Sequence, residues 1–323
     1  MTIRRAIAAA VVPAMMFSGL AFGQMLSLET VATTPANGLE GLDVAPDGSI
    51  YVTDATAHVI HKVAPDGTVS DFAKLSVVPQ VIVLTKNGAV VTAQQREPDF
   101  AAFRRPASST SGASAAAAGK PAGGGMNATA MGALGAVVVV LDKKGQVVKS
   151  VAGVPGAFFN GVNRFGKYFL IADSTAGTIW RFDADKGVVT AWLKDDALLG
   201  PGGRFPGGNG IKVVGNAVYV ANTAGGVIYR IDTHDGKPVG SLVPVARVRG
   251  PDDFAVAHDG TIYVPSDGKV LKVTASGQIS TIAEGCTGCD FALLADRERT
   301  LLLVTHGFGA SAGGGHVYRI RFR

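Results

Sequence analysis

One motif is used over and over along this chain: a short apolar run, a tight turn, a strand ending in Asp or Asn, then a second hairpin. Residues 42–54 read LDVAPDGSIYVTD and 59–69 continue VIHKVAPDGTV; residues 168–183 read YFLIADSTAGTIWRFD, 217–232 AVYVANTAGGVIYRID, 254–264 FAVAHDGTIYV and 270–280 VLKVTASGQIS. Asp47-Gly48, Asp66-Gly67 and Asp259-Gly260 are turn dipeptides that supply the positive φ angles tight hairpins need. Four short strands returning about every 40–50 residues is the period of a propeller blade. Units begin near residues 38, 79, 158, 207, 250 and 287. This predicts an all-β chain, a six-bladed β-propeller of four-stranded antiparallel blades, with residues 28–34 placed to close the ring against the last blade. The 43 glycines and only 7% aromatic content fit many turns between short strands.

The N-terminus reads as an export signal over residues 1–23, leaving a propeller domain over 24–323. Arg4 and Arg5 form a positive region, Ala6 to Phe22 is apolar but broken by Pro13 and Gly19, and Ala21-Phe22-Gly23 offers small residues at the cleavage positions. An uncleaved anchor is the competing reading, and Pro13 and Gly19 within so short an apolar run weigh against it. The expectation is a periplasmic or secreted protein, off the membrane once the signal is removed. A formal net charge of +5, part of it in Arg4 and Arg5, is too small to argue for nucleic acid; the expected partner is a small-molecule substrate. Cys286 and Cys289 form a CxxC, but zinc would need a second pair of ligands and a redox motif would open a helix. A structural disulfide in an oxidising compartment, or two packed thiols, is expected.

The second unit is interrupted by residues 96–135, rich in Ala, Gly, Ser and Pro. Such a stretch buries too little apolar surface to offset its ordering entropy, so a disordered loop within blade 2 is expected. It follows a second strand ending near Gln94 and Gln95, so it should open on the face where first strands begin. There it is either a mobile lid or a tolerated surface insertion.

Aligned on their second strands, four units place an oxygen-bearing side chain where the first strand begins. Glu40 stands 14 residues before Asp54, Asn160 13 before Asp173, Asn209 13 before Asn222, and Asp252 14 before Ser266. Innermost strands of a propeller surround its axis, so these positions should converge at one end of the channel. Two carboxylates and two amide oxygens suit a hard divalent cation, Ca²⁺ foremost, with Mg²⁺, Mn²⁺ or Zn²⁺ as alternatives. The same offset brings in Gln80 from the second unit and lands near Cys289 in the sixth. Polar residues at strand starts also cap turns and bind channel water; the fourfold repetition is what points to metal.

The short motifs around these positions resemble those of the senescence-marker-protein-30/gluconolactonase family and its organophosphatase relatives, over most of the chain. Leu39-Glu40-Gly41 is similar to the family's first-blade glutamate motif, Phe159-Asn160-Gly161 to its Phe-Asn-Asp, and Gly208-Asn209-Gly210-Ile211 to its Pro-Asn-Gly-Ile. Pro251-Asp252-Asp253-Phe254 resembles Pro-Asp-Gly-Met, and Thr287-Gly288-Cys289 resembles Thr-Ser-Cys. The resemblance implies that Glu40, Asn160, Asn209 and Asp252 hold the metal and that Asp252 is also the catalytic base or nucleophile, in a hydrolase of lactones or related esters. Two departures bear on substrate: Phe158 stands where sugar lactonases carry an arginine, and Gly161 where an acidic residue follows the second ligand. Phe158 and Gln80, with His306 at the end of a second strand, are candidate substrate contacts.

Other signals carry less. Gly309-Ala310-Ser311-Ala312-Gly313 fits a nucleophile elbow, but no Asp or Glu follows Ser311. The glycine-rich run 200–210 lacks the Lys-Ser/Thr and helix of a phosphate loop. Two other function classes remain open: a non-enzymatic propeller that binds a ligand or protein around a structural cation, and a metal-free enzyme of the strictosidine-synthase kind.

Overall fold

The computed structural model describes residues 25–35, 38–96, 128–305 and 314–322. The expected export signal, most of the expected insertion, His306 and the Gly309–Gly313 pattern lie outside these. Among the described residues no helix is long and apolar enough to cross a membrane.

A lone strand β1 (Glu29–Thr34) precedes six sheets. Blade 1 is β2 (Leu39–Val44), β3 (Ile50–Asp54), β4 (Val59–Val63) and β5 (Val69–Lys74); blade 2 is β6 (Val78–Thr85), β7 (Gly88–Gln94), β8 (Ala136–Asp142) and β9 (Val147–Ala152). Blade 3 is β10 (Phe159–Phe165), β11 (Tyr168–Asp173), β12 (Thr178–Asp183) and β13 (Val188–Lys194); blade 4 is β14 (Gly208–Val214), β15 (Ala217–Asn222), β16 (Val227–His234) and β17 (Lys237–Arg247). Blade 5 is β18 (Ala255–Val256), β19 (Ile262–Ser266), β20 (Lys269–Val273) and β21 (Ile279–Glu284); blade 6 is β22 (Cys289–Ala295), β23 (Thr300–Thr305) and β24 (Gly315–Arg321), completed on its outer edge by β1. Neighbouring strands are antiparallel throughout. The six-bladed propeller stands as the repeat predicts.

Local chemistry explains why each hairpin forms. Asp47, Asp66 and Asp259 each accept the N–H two residues on, from Ser49, Thr68 and Thr261 at 2.9, 2.9 and 2.8 Å. The intervening Gly48, Gly67 and Gly260 take φ of 82, 88 and 82°, where a Cβ would be strained. The acids that end second strands do related work. Asp54 accepts from the N–H groups of Thr56 and Ala57 at 3.0 and 2.9 Å, and Asp173 from Thr175 and Ala176 at 2.9 and 3.2 Å. A third-strand ring nitrogen approaches each: Trp180 Nε1 donates to Asp173 Oδ2 at 2.9 Å, and His61 Nε2 stands at ion-pair distance, 3.4 Å, from Asp54 Oδ2.

First strands are innermost, each packed on the first strand of the next blade, with β2 meeting β22 to complete the circle. Fourth strands face solvent. Between blades lies a core that includes Leu39, Val52, Phe159, Ile171, Phe182 and Val304. Cys286 and Cys289 form a disulfide at the start of β22, the first of the two alternatives expected. Of the inserted segment, residues 128–132 form a helical turn that buries Met131, directly ahead of β8.

Candidate functional site

Five of the six first strands begin with a bulge. Pairing slips between Leu39 and Leu42, Pro79 and Ile82, Phe159 and Val162, Gly208 and Ile211, and Cys289 and Phe291. The residue just after each bulge begins is Glu40, Gln80, Asn160, Asn209 or Asp290. A bulge bends the strand and re-aims its side chain, so one irregularity repeated around the ring turns five polar side chains to the same end of the axis.

Hydrogen bonds sew these positions together from blade to blade. Thr53 Oγ1 accepts from Gly41 N–H at 3.0 Å and donates to the Gln80 carbonyl; Thr92 Oγ1 accepts from Val81 N–H at 3.2 Å and donates to the Asn160 carbonyl at 2.5 Å. In blade 3, Asn160 Nδ2 lies 3.5 Å from Ser174 Oγ, which donates to the Gly208 carbonyl at 2.8 Å. In blade 4, Asn209 Nδ2 donates to Thr223 Oγ1 at 3.0 Å, and that hydroxyl donates to the Pro251 carbonyl at 2.8 Å. The approach is close enough to explain Gly161: a Cβ there would stand 2.5 Å from the Asn209 carbonyl oxygen. Sterics, rather than the chemistry of an acidic neighbour, set that residue.

Asn209 also donates from Nδ2 to Asp252 Oδ1 at 2.6 Å. Asp290 is half-buried; desolvation first, then the charges of Glu40, Asp252 and Asp253, push its carboxyl well above the usual carboxylate range. Glu40, Asn209, Asp252 and Asp290 therefore share one electrostatic neighbourhood. Beneath it, Lys212 pairs with Asp253 at 2.6 Å. The channel continues to a cavity of about 230 Å³ whose walls include Asp43, Arg164, Lys212 and Phe291. Burial raises the Asp43 carboxyl, although it accepts N–H bonds from Leu84 and Val44. Two larger clefts, of about 620 and 630 Å³, lie by the turn at Asn216, at the far end of the strands, away from these residues.

The remaining sequence candidates are placed as follows. Gln80 is buried in β6, its amide 3.4 Å from the Pro79 carbonyl. Phe158 is buried next to β10, its ring edge-on to Phe205 at 4.9 Å. Phe159 points into the core against Trp180. Cys289 is engaged in the disulfide, and its neighbour Asp290 holds the ring position. Asp290, Asp253 and Lys212 are the site residues that sequence reasoning missed. Asp290 was within reach of the offset argument; its offset from Thr305 is 15 rather than 13 because the turn after β22 spans four residues, 296–299, where those after β10 and β14 span two.

The donor set fits a hard cation. It offers carboxylates from Glu40, Asp252 and Asp290 with amide groups from Asn160 and Asn209, and a half-turn of either amide presents oxygen in place of nitrogen. Among the described residues no three His, Cys, Asp or Glu side chains form a metal-binding group by themselves.

No family model matches the chain, and no curated protein matches it. Solved structures do. A gluconolactonase from Xanthomonas campestris superposes with a TM-score of 0.64 at 14% identity, covering 92% of this chain and 89% of its own. A calcium-binding protein, regucalcin, from Agrobacterium tumefaciens gives 0.65 at 14% identity, covering 93% and 96%. Virginiamycin B lyase from Staphylococcus aureus gives 0.53 at 15% identity, covering 87% and 82%. One architecture thus carries a gluconolactonase, a calcium-binding protein and a lyase, so chemistry must be argued from the site. At these identities the likeness establishes the fold: this chain is a six-bladed β-propeller of the architecture seen in gluconolactonase and regucalcin.

Proposed function

We infer that the protein is a metal-dependent hydrolase of a lactone or related ester, acting at the axial end of the channel. The observation that carries this reading is the convergence of oxygen side chains from separate blades, centred on the 2.6 Å contact between Asn209 and Asp252. Glu40, Asn160, Asn209, Asp252 and Asp290 would hold the cation. When bound, a divalent cation there supplies Lewis-acid polarisation of a carbonyl oxygen. Asp252 would take the proton of an attacking water as the new bond from water oxygen to the carbonyl carbon forms, and return it to the ring oxygen as the bond between that oxygen and the carbonyl carbon breaks. The Asn209 amide fixes the carboxylate's orientation for both transfers. Phe158, standing where sugar lactonases carry an arginine and packed on Phe205, favours a substrate with an apolar flank over a polyhydroxylated one. The small-molecule partner, and an extracytoplasmic location favoured by the Cys286–Cys289 disulfide, belong to the same proposal.

The test is metal analysis of purified protein followed by a panel of lactones and aryl esters, assayed with chelator and after adding back Ca²⁺, Mg²⁺, Mn²⁺ or Zn²⁺. Chelator-sensitive hydrolysis restored by one cation supports the reading. Bound metal with no hydrolysis across the panel favours a binding propeller with a structural cation, and hydrolysis indifferent to chelator favours metal-free chemistry.

A further inference from the structure

Asp252 is the one candidate ligand that no strand carries. Glu40, Gln80, Asn160, Asn209 and Asp290 all lie within β2, β6, β10, β14 and β22. Blade 5 instead opens with irregular chain, and β18 starts only at Ala255 and is two residues long. Regular pairing therefore does not fix the Asp252–Asp253 segment; its neighbours do. Gly210 N–H donates to the Asp252 carbonyl at 2.9 Å, and Asp253 N–H donates to the Asp290 carbonyl at 2.8 Å.

The third tie is made by side chains. Lys212 Nζ lies 2.6 Å from Asp253 Oδ1 and 2.8 Å from Oδ2. Both residues are buried, at 7% and 4% exposure. The ammonium also sits 4.5 Å from the ring centre of Phe291 and 6.0 Å from that of Phe254. Lys212 thus belongs to blade 4, clasps blade 5 and rests on blade 6. A buried ion pair is a poor source of net stability, because desolvating two charges offsets much of their attraction. Two contacts from one ammonium to both oxygens of a single carboxylate do, however, define where that residue sits.

We propose that Lys212 is a positioning residue: its clasp on Asp253 sets the pitch of the adjoining Asp252, which no β-ladder holds. The inference rests on the reading of Asp252 as ligand and base. It gives that site a specific support, a lysine on the neighbouring blade's inner strand.

The discriminating variant is K212M/D253N, which removes one charge of each sign and leaves net charge unchanged. In metal-free protein, amide hydrogen exchange at Asp253 and Phe254 should quicken about tenfold or more, while the matching segments 40–42 and 160–162 keep wild-type rates. Divalent-cation Kd, titrated with Ca²⁺ and Mn²⁺, should rise about tenfold, and kcat should fall with KM little changed. Lys212→Arg, which keeps a charged donor, should stay within about threefold of wild type in each measure. Should the double variant fail to fold, Lys212→Gln takes its place and must show the same local rise in exchange. Unchanged exchange at Asp253 and Phe254 overturns the proposal. If wild-type protein neither binds a cation nor hydrolyses any lactone, the functional reading fails, and the exchange measurement still decides the clasp.

Discussion

Asn209 and Asp252 are joined at 2.6 Å across the boundary between the fourth and fifth blades, which couples a candidate ligand to the candidate base. Asp252→Asn preserves an oxygen donor and removes the basic carboxylate. It should retain substantial metal while turnover falls by about 10²–10⁴, the usual worth of a positioned acid–base group. Bound metal, melting temperature and lactone kinetics on that one protein check the assignment, and full activity with Asn at 252 would falsify it.

Glu40→Gln removes a formal negative charge from the donor set. Cation affinity should fall about tenfold, equivalent to roughly 1.4 kcal/mol, with the metal-free melting temperature little changed. Titration calorimetry reads the first quantity and a thermal scan in chelator the second. An unaltered Kd removes Glu40 from the set.

Asp290 is held protonated more firmly in the folded protein than in the unfolded chain, by burial and then by the charges of Glu40, Asp252 and Asp253. The folded pKa is raised, so its penalty is absent below the ordinary carboxylate range and grows as pH climbs toward the raised value. Metal-free protein should therefore gain from Asp290→Asn at neutral pH and show no gain near pH 3. Melting scans of both proteins in chelator across that range make the comparison. A variant less stable than wild type at pH 7 contradicts it.

His61 carries the opposite kind of titration. The Asp54 carboxylate 3.4 Å away most of all, with further help from Asp71 at 3.0 Å, raises its pKa against the opposing effect of burial. The stabilisation is complete below the unfolded histidine value of about 6.5 and is lost as pH rises through the higher folded value. The melting-temperature difference between wild type and His61→Gln should be largest at pH 6 and shrink toward pH 9. A difference that grows with pH sinks the idea.

The Cys286–Cys289 link closes so short a loop that its removal should cost only about 2 kcal/mol. Replacing both with Ser is expected to lower the melting point by a few degrees and leave hydrolysis intact. Loss of activity with the fold preserved would mean that the disulfide holds Asp290 in register.

The blades were legible because each hairpin carries its own instruction: Asp47-Gly48 or Asp259-Gly260 dictates a turn wherever it falls. Glu40, Asn160, Asn209 and Asp252 were legible because equal hairpins give equal offsets. Asp290 escaped because its hairpin differs in length. Lys212 and Asp253 escaped for another reason: they lie 41 positions apart, and their pairing depends on how two blades dock, which no local pattern records. Gly161, read from its motif as a chemical departure, proves to be a steric requirement of the neighbouring blade.

The strand β1 has a consequence for how the molecule comes into being. Its Glu29 meets Arg319, 290 positions later, through contacts of 3.0 and 2.6 Å, so the first described strand of the chain cannot find its place until nearly the last has been made. Closure is the most non-local event the fold contains, and such contacts form late and slowly. Until it happens the sixth blade is short of its outer edge, and the packing of β2 on β22 and β23 alone closes the circle. The axial residues, which come together only when the circumference is fixed, acquire their mutual distances in that same event. A chain cut short before β24 would leave β1 without the strand it pairs with and the sixth blade with two of its four strands, a weakened seam beside the axial residues.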